Sequence, residues 1–96
     1  MSLKNKRGQL VKWFEKSGYG FIRFEGRDVF VHREAYLSGF TPERFQVVAF
    51  DFGLAPDRNK PPVAINVRVT KSAKAVAAEE EIKRGLEALV ESQGGV

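Results

Sequence analysis

The 96-residue sequence contains no cysteine and only one histidine. A chain without cysteine forms no disulfide and presents no thiolate to a metal ion or a substrate, a composition typical of the reducing cytoplasm. No apolar run approaches the roughly 20 residues that cross a membrane, and no hydrophobic signal core follows the basic residues after Met1. We therefore expect a cytoplasmic protein without a membrane segment and without thiol chemistry.

Residue groups that carry catalysis are missing as well. His32 is not accompanied by a second histidine, a cysteine or a carboxylate cluster that would complete a metal site. The sequence shows no nucleophile–base pair and no glycine-rich phosphate loop. We therefore predict that the protein is not an enzyme and uses no metal ion or cofactor. The favoured interpretation of His32 is a ring that stacks on a base and gains charge near phosphate.

Basic charge and aromatic rings occupy the same part of the chain. Residues 1–71 contain 13 Lys and Arg against 7 Asp and Glu, a balance of +6, whereas residues 72–96 have a balance of −2. All eleven aromatic residues precede residue 53. Proteins that bind single-stranded nucleic acid use rings beside positive charge, because every base has a π-face and every phosphate is negative.

The pattern of apolar and turn-forming residues predicts an all-β domain followed by a helix. Five short β-rich runs, separated by turns and one long connection over 33–44, are typical of a five-stranded antiparallel Greek-key barrel. The predicted strands are 8–14, 18–24, 28–32, 46–52 and 63–70. We divide the chain into a basic N-terminal segment (1–7), a barrel domain (8–71) and a C-terminal amphipathic helix with its tail (72–96).

The C-terminal helix is predicted to be capped by Ser72 and to run from about Ala75 to Ser92. Its apolar residues recur at helical spacing and form one stripe. The stripe consists of Ile82, Leu86, Leu89 and Val90. Such a stripe needs a partner surface, and the barrel, a second copy of the chain and a different protein all remain open.

Two neighbouring strands place rings on one face of the sheet. Because side chains alternate along a strand, Tyr19, Phe21 and Arg23 share a face. Phe30 and His32 share a face of the next strand. A barrel this small cannot bury all eleven rings. The alternation of side chains along the strands assigns core positions to Phe24, Phe45 and Phe50.

The predicted nucleic-acid interface combines these rings with flanking cations. The candidate rings are Trp13, Phe14, Tyr19, Phe21, Phe30, His32 and Phe40. The candidate cations are Lys12, Lys16, Arg23, Arg33, Arg58 and Lys60. For the last two, a phosphate clamp and a merely exposed loop are both open interpretations.

Three motifs in this order and spacing resemble the cold-shock domain. They are Lys12-Trp13-Phe14, then the run from Gly18 to Ile22, then the run from Asp28 to His32, and the resemblance covers about residues 8–70. It implies a barrel of the oligonucleotide-binding (OB) type. It also implies binding of single-stranded RNA and DNA, often as an RNA chaperone in a stress response.

Carried over to this chain, the resemblance implies a stacking platform on Trp13, Tyr19, Phe21, Phe30 and His32. It further implies a partly exposed ring at Phe14, a base-contacting loop ring at Phe40 and a backbone-contacting lysine at Lys12.

The chain departs from the family pattern in three places. Arg33 replaces the usual phenylalanine after the histidine, and Ser17, preceded by Lys16, stands in a shortened turn where a lysine is typical. The third departure is the C-terminal helix.

The sequence therefore predicts a single-stranded nucleic-acid binder, either an RNA chaperone or a transcriptional or post-transcriptional regulator. The alternative is an interaction adaptor, in which the barrel is a scaffold and the helix recruits a partner or drives dimerisation.

Overall fold

Alternating apolar and polar residues form five strands in the computed structural model, which describes residues 3–55 and 59–82. The strands are β1 (Lys6–Phe14), β2 (Tyr19–Phe24), β3 (Arg27–His32), β4 (Val47–Gly53) and β5 (Val63–Lys71), with a short 3-10 turn at Arg33–Ala35. They form one antiparallel sheet in the order β3-β2-β1-β4-β5. The structure thus confirms the five predicted strands, with bounds shifted by one or two residues.

The sheet curls because β1 pairs with different strands along its length. Its first part pairs with β4 and its second part with β2. The segment after β3 then returns to β5, where Tyr36 and Val67 form a parallel bridge and the Leu37 amide donates to the Val67 carbonyl at 2.9 Å. This contact brings the two edges of the sheet together around one core, consistent with the predicted barrel of the OB type.

The core lies on the concave face of the sheet. Its fully buried apolar residues are Leu10, Ile22, Val31, Val48, Phe50 and Val67. Phe24 and Phe52 pack edge-on against Phe50, with ring centroids 5.7 and 5.3 Å away. Each buried apolar side chain of this size stabilises the fold by roughly 1.5–3 kcal/mol.

A buried glutamine fixes the long connection between β3 and β4. The Tyr36 hydroxyl donates to Gln46 Oε1 at 2.6 Å, and Gln46 Nε2 donates to the Thr41 carbonyl at 3.1 Å. Burial raises the pKa of the Tyr36 hydroxyl, so that group stays protonated and acts as the donor. The connection is therefore held against the core through polar contacts.

A bulge at Val11 changes which side chains of β1 face outward. Leu10 pairs with Ile22 and Lys12 pairs with Phe21, so β1 advances by two residues where β2 advances by one, and Val11 is the extra residue. Leu10 before the bulge is buried, whereas Lys12 after it is exposed. Beyond Val11 each side chain of β1 lies on the face opposite to the one that simple alternation predicts, because a one-residue insertion moves all later side chains to the other face.

The bulge directs Trp13 inward onto Gly20. Trp13 pairs with Gly20, is partly buried and packs against the core. A Cβ atom at Gly20 would lie 2.7 Å from Cε3 of Trp13, and it would also meet the Lys12 carbonyl. Glycine is therefore required at position 20, because β1 and the indole approach its bare backbone.

One predicted core residue is exposed. Phe50 and Phe24 take the core positions that parity assigned to them, but Phe45 is 47% exposed. Its backbone has φ 78°, and the following residue, Gln46, turns into the core instead. The prediction for Phe45 was wrong because the residue lies in a turn before β4, where the neighbouring Gln46 takes the inward position.

The C-terminal helix begins at residue 73, two residues earlier than predicted, and is described to residue 82. Ser72 caps it as predicted, since its Oγ accepts a hydrogen bond from the Ala75 amide at 3.1 Å. Ile82 is 62% exposed. The rest of the predicted stripe, Leu86, Leu89 and Val90, lies outside the described residues, as does the predicted end near Ser92. Within the described residues, no helix is long and apolar enough to cross a membrane.

Candidate nucleic-acid interface

The convex face of β2 and β3 carries the rings that the alternation predicted. Tyr19 pairs with His32, Phe21 with Phe30 and Arg23 with Asp28, so these side chains share one face. The opposite face of the same strands carries Ile22 and Val31, which are fully buried. The two-residue turn that joins the strands has φ > 0 at both Glu25 and Gly26, which suits the twist of a tight hairpin.

Four of the rings contact one another, and we call them the ring face: Phe14, Tyr19, Phe21 and Phe30. Tyr19 and Phe30 are stacked, with centroids 5.4 Å apart and planes 24° apart. Phe21 meets both of them edge-on, at 6.2 and 6.0 Å, and Phe14 lies 5.1 Å from Tyr19. Phe14 and Phe30 remain 44% and 38% exposed. The mutual contacts hold the rings in place while their outer surfaces stay open to a ligand.

His32 lies at the end of this surface and is exposed. Its Nδ1 accepts a hydrogen bond from the Glu34 amide at 3.1 Å. In the neutral imidazole the proton therefore belongs to Nε2, which becomes a donor for a base or a phosphate oxygen. The arrangement suits a ring that both stacks and donates.

Trp13 is not part of the ring face. Its indole lies against Gly20 and meets Tyr36 edge-on at 6.3 Å, while Nε1 donates to Glu15 Oε2 at 2.6 Å. The structure therefore separates Trp13 from the other four members of the predicted platform and places it, partly buried, at the margin. Stacking of a base on Trp13 stays a prediction.

Glu15 joins Trp13 to Arg33, and we call these three residues the Glu15 cluster. The Arg33 guanidinium donates to Glu15 Oε1 at 2.6 Å and to the Glu15 carbonyl at 3.2 Å. It also lies over the indole of Trp13, with Cζ 5.9 Å from the ring centroid. Because this ion pair is exposed, it contributes roughly 0–1 kcal/mol and can be exchanged for a phosphate. Sequence reasoning missed Glu15, although its position directly after Trp13-Phe14 in a basic region was a signal.

The other predicted cations lie in different surroundings. Lys12 is exposed beside Phe21, where the register places it in the same cross-strand row as Phe30. Arg23 is paired with Asp28 at 2.7 Å. Lys16 and Lys60 are exposed, and Arg58 lies outside the described residues. The sheet therefore positions both Lys12 and Arg23 on the face of the rings, and Arg23 is paired there with Asp28.

Two shallow pockets flank the ring face. Phe40, 39% exposed, lines one of about 220 Å³ together with Glu15, Arg33, Thr41 and Pro42, so the predicted loop ring lies beside the Glu15 cluster. The other pocket, of about 480 Å³, continues from Phe30 and His32 to Leu54, directly after β4, and to Ile65 in β5. Sequence reasoning missed these two aliphatic residues. For Ile65, the alternation with buried Ala64 was an available signal.

In residues 3–55 and 59–82, no group of three or more histidine and acidic side chains is placed to hold a metal ion.

Comparison with known families gives a match over the strands. The sequence model of a family described as the 'Cold-shock' DNA-binding domain matches residues 7–70, which is about two thirds of the chain. The matched segment contains the five strands almost entirely and stops before the helix. A search of curated proteins found no match.

Proposed function

The chain belongs to the 'cold-shock' DNA-binding domain family, and we propose that it binds single-stranded RNA or DNA by stacking unpaired bases on the ring face. Lys12 and Arg33 would supply phosphate contacts, and Phe40, His32 and Trp13 would supply further ring contacts at the margins. The family consists of nucleic-acid-binding domains. The stacking mode, the preference for RNA or DNA and the role in the cell belong to the proposal.

The observation that supports the proposal best is a cluster of rings outside the core. Apolar rings gain little stability where they stay exposed, since their stabilising effect depends on the area removed from water. Phe14 and Phe30 nevertheless lie side by side with Tyr19 on an open sheet, next to Lys12. A base stacked on such a ring contributes roughly 1–3 kcal/mol, and this contribution tolerates any base.

Binding of this kind has a consequence for RNA structure. A protein that binds only unpaired bases lowers the free energy of the open state, so weak hairpins melt without an energy source. This supports an RNA chaperone or a regulator of transcription or translation as the cellular role, acting in the cytoplasm.

The test is an oligonucleotide titration of Phe30→Ala beside Leu3→Ala. Leu3 is an exposed apolar residue next to Phe52, away from the ring face. We expect Phe30→Ala to weaken binding by about tenfold, because one stacking surface is lost, and Leu3→Ala to leave the affinity unchanged. Equal affinities for both variants, with both folded, would remove stacking on Phe30 from the account.

A further inference from the structure

Phe45 is an exposed phenylalanine in a backbone conformation that phenylalanine disfavours. Its φ of 78° lies in the left-handed region, where a Cβ atom meets the neighbouring carbonyl oxygen. The residue is 47% exposed and does not belong to the hydrophobic core cluster. Packing in the core therefore does not explain why this strained conformation is kept. Strained residues concentrate at functional sites.

The backbone around Phe45 is firmly held by β1. The Phe45 amide donates to the Leu10 carbonyl at 2.6 Å, and Gln9 Nε2 donates to the Phe45 carbonyl at 2.9 Å. Arg44 Nε donates to the Val11 carbonyl, at the bulge, at 3.1 Å. The backbone that carries the ring is therefore fixed to the sheet, which lowers the ordering cost of binding a ligand there.

A cation accompanies this ring. The Arg44 guanidinium lies over it, with Cζ 4.6 Å from the ring centroid. One face of the ring is thus covered by positive charge, while the side chain keeps close to half of its surface exposed. A ring beside a cation is complementary to a base and its phosphate, whereas an apolar protein partner would favour aliphatic neighbours.

The position of Phe45 continues the ring face across β1. Phe30, Phe21 and Lys12 form a cross-strand row on the convex face. Gln9 pairs with Arg23, whose side chain shares the face of Phe21, and Gln9 Nε2 donates to the Phe45 carbonyl, so Phe45 lies beside this face, beyond the bulge. Sequence parity alone assigned it to the core.

We propose that Phe45 and Arg44 form an additional base-stacking subsite for single-stranded nucleic acid, one strand beyond Lys12. The subsite rests on the proposed function of the ring face and lengthens the strand that the protein binds. A nucleic acid that crosses from Phe30 past Lys12 places a further base on the Phe45 ring and its phosphate near Arg44.

The test uses Phe45→Gly and Phe45→Tyr in the full chain with oligothymidylates of about four to about twelve nucleotides, which brackets the usual footprint of an OB domain. Glycine adopts φ > 0 without strain, so Phe45→Gly removes the ring and keeps the fold. We expect it to bind the longest oligonucleotides about fivefold or more weakly than the wild type and the shortest ones equally well. Phe45→Tyr keeps a ring and should keep the affinity at every length.

Equal binding of Phe45→Gly and the wild type at every length, while Phe30→Ala binds more weakly, would overturn the subsite and leave the proposed function intact. An equal loss at all lengths would also overturn it, because a subsite at one end acts only on strands long enough to reach it. If the wild type binds none of the oligonucleotides, the proposed function and the subsite fail together.

Discussion

Two groups of aromatic side chains in this protein have similar distances between their rings and opposite surroundings. The core trio, Phe24, Phe50 and Phe52, has centroids 5.3–5.7 Å apart in edge-to-face contacts. The contacts of Tyr19 with Phe21 and Phe30 on the ring face are 5.4–6.2 Å long. The trio lies inside the sheet and the ring face lies outside it, so the first stabilises the fold and the second is available to a ligand.

The largest difference between the two groups is expected in stability. Phe50→Ala should lower the free energy of unfolding by about 3–5 kcal/mol, because it removes a fully buried ring and leaves a cavity. Phe30→Ala should lower it by less than about 1 kcal/mol, since exposed positions contribute little. Urea denaturation followed by circular dichroism measures both. Similar losses in the two variants would show that the ring face belongs to the core.

The fold of both groups could be predicted largely from alternation along the chain. Tyr19, Phe21 and Phe30 lie outside, and Ile22 and Phe24 inside, because β2 and β3 pair in unbroken register over these residues. Phe50 also lies inside, two residues after buried Val48. The C-terminal helix and its Ser72 cap follow from equally local signals. In a regular strand or helix, the sequence pattern alone indicates which side chains face the core.

Three features of the site could not be predicted in this way. The bulge at Val11 reverses the facing of Lys12 and Trp13, and nothing in the local sequence distinguishes a bulged strand from a regular one. The left-handed backbone at Phe45 contradicts the preference of its side chain. Glu15 reaches Arg33 only because the turn after β1 brings two segments 18 residues apart into contact. Each feature depends on tertiary structure.

A smaller effect on affinity is expected from a substitution in the Glu15 cluster, at the margin of the ring face. In the free protein the Glu15 carboxylate forms an ion pair with the Arg33 guanidinium. Glu15→Gln removes this competitor, so we expect affinity for an oligonucleotide to rise about threefold at low salt and the salt dependence to steepen by about one phosphate contact. Glu25→Gln makes the same charge change in the β2–β3 turn and should leave the slope unchanged. An unaltered slope in Glu15→Gln would mean that Arg33 does not reach phosphate.

The smallest effect is expected from the region that the family match does not cover. A chain ending at residue 72 keeps every ring and all five strands. We expect its affinity for oligonucleotides to change less than about twofold, because the removed segment has no aromatic residue and a slightly negative balance of charge. Titration and light scattering on both lengths provide the measurement. A large loss of affinity, or a dimer that only the full chain forms, would favour the adaptor function for the helix.

The most direct test of the comparison is the affinity of a double variant, Phe21→Ala with Phe30→Ala, for an unstructured oligothymidylate at two salt concentrations. The account predicts a loss of about a hundredfold, from two stacking surfaces, with an unchanged salt dependence because the cations remain. A folded double variant that binds within about twofold of the wild type would contradict the account.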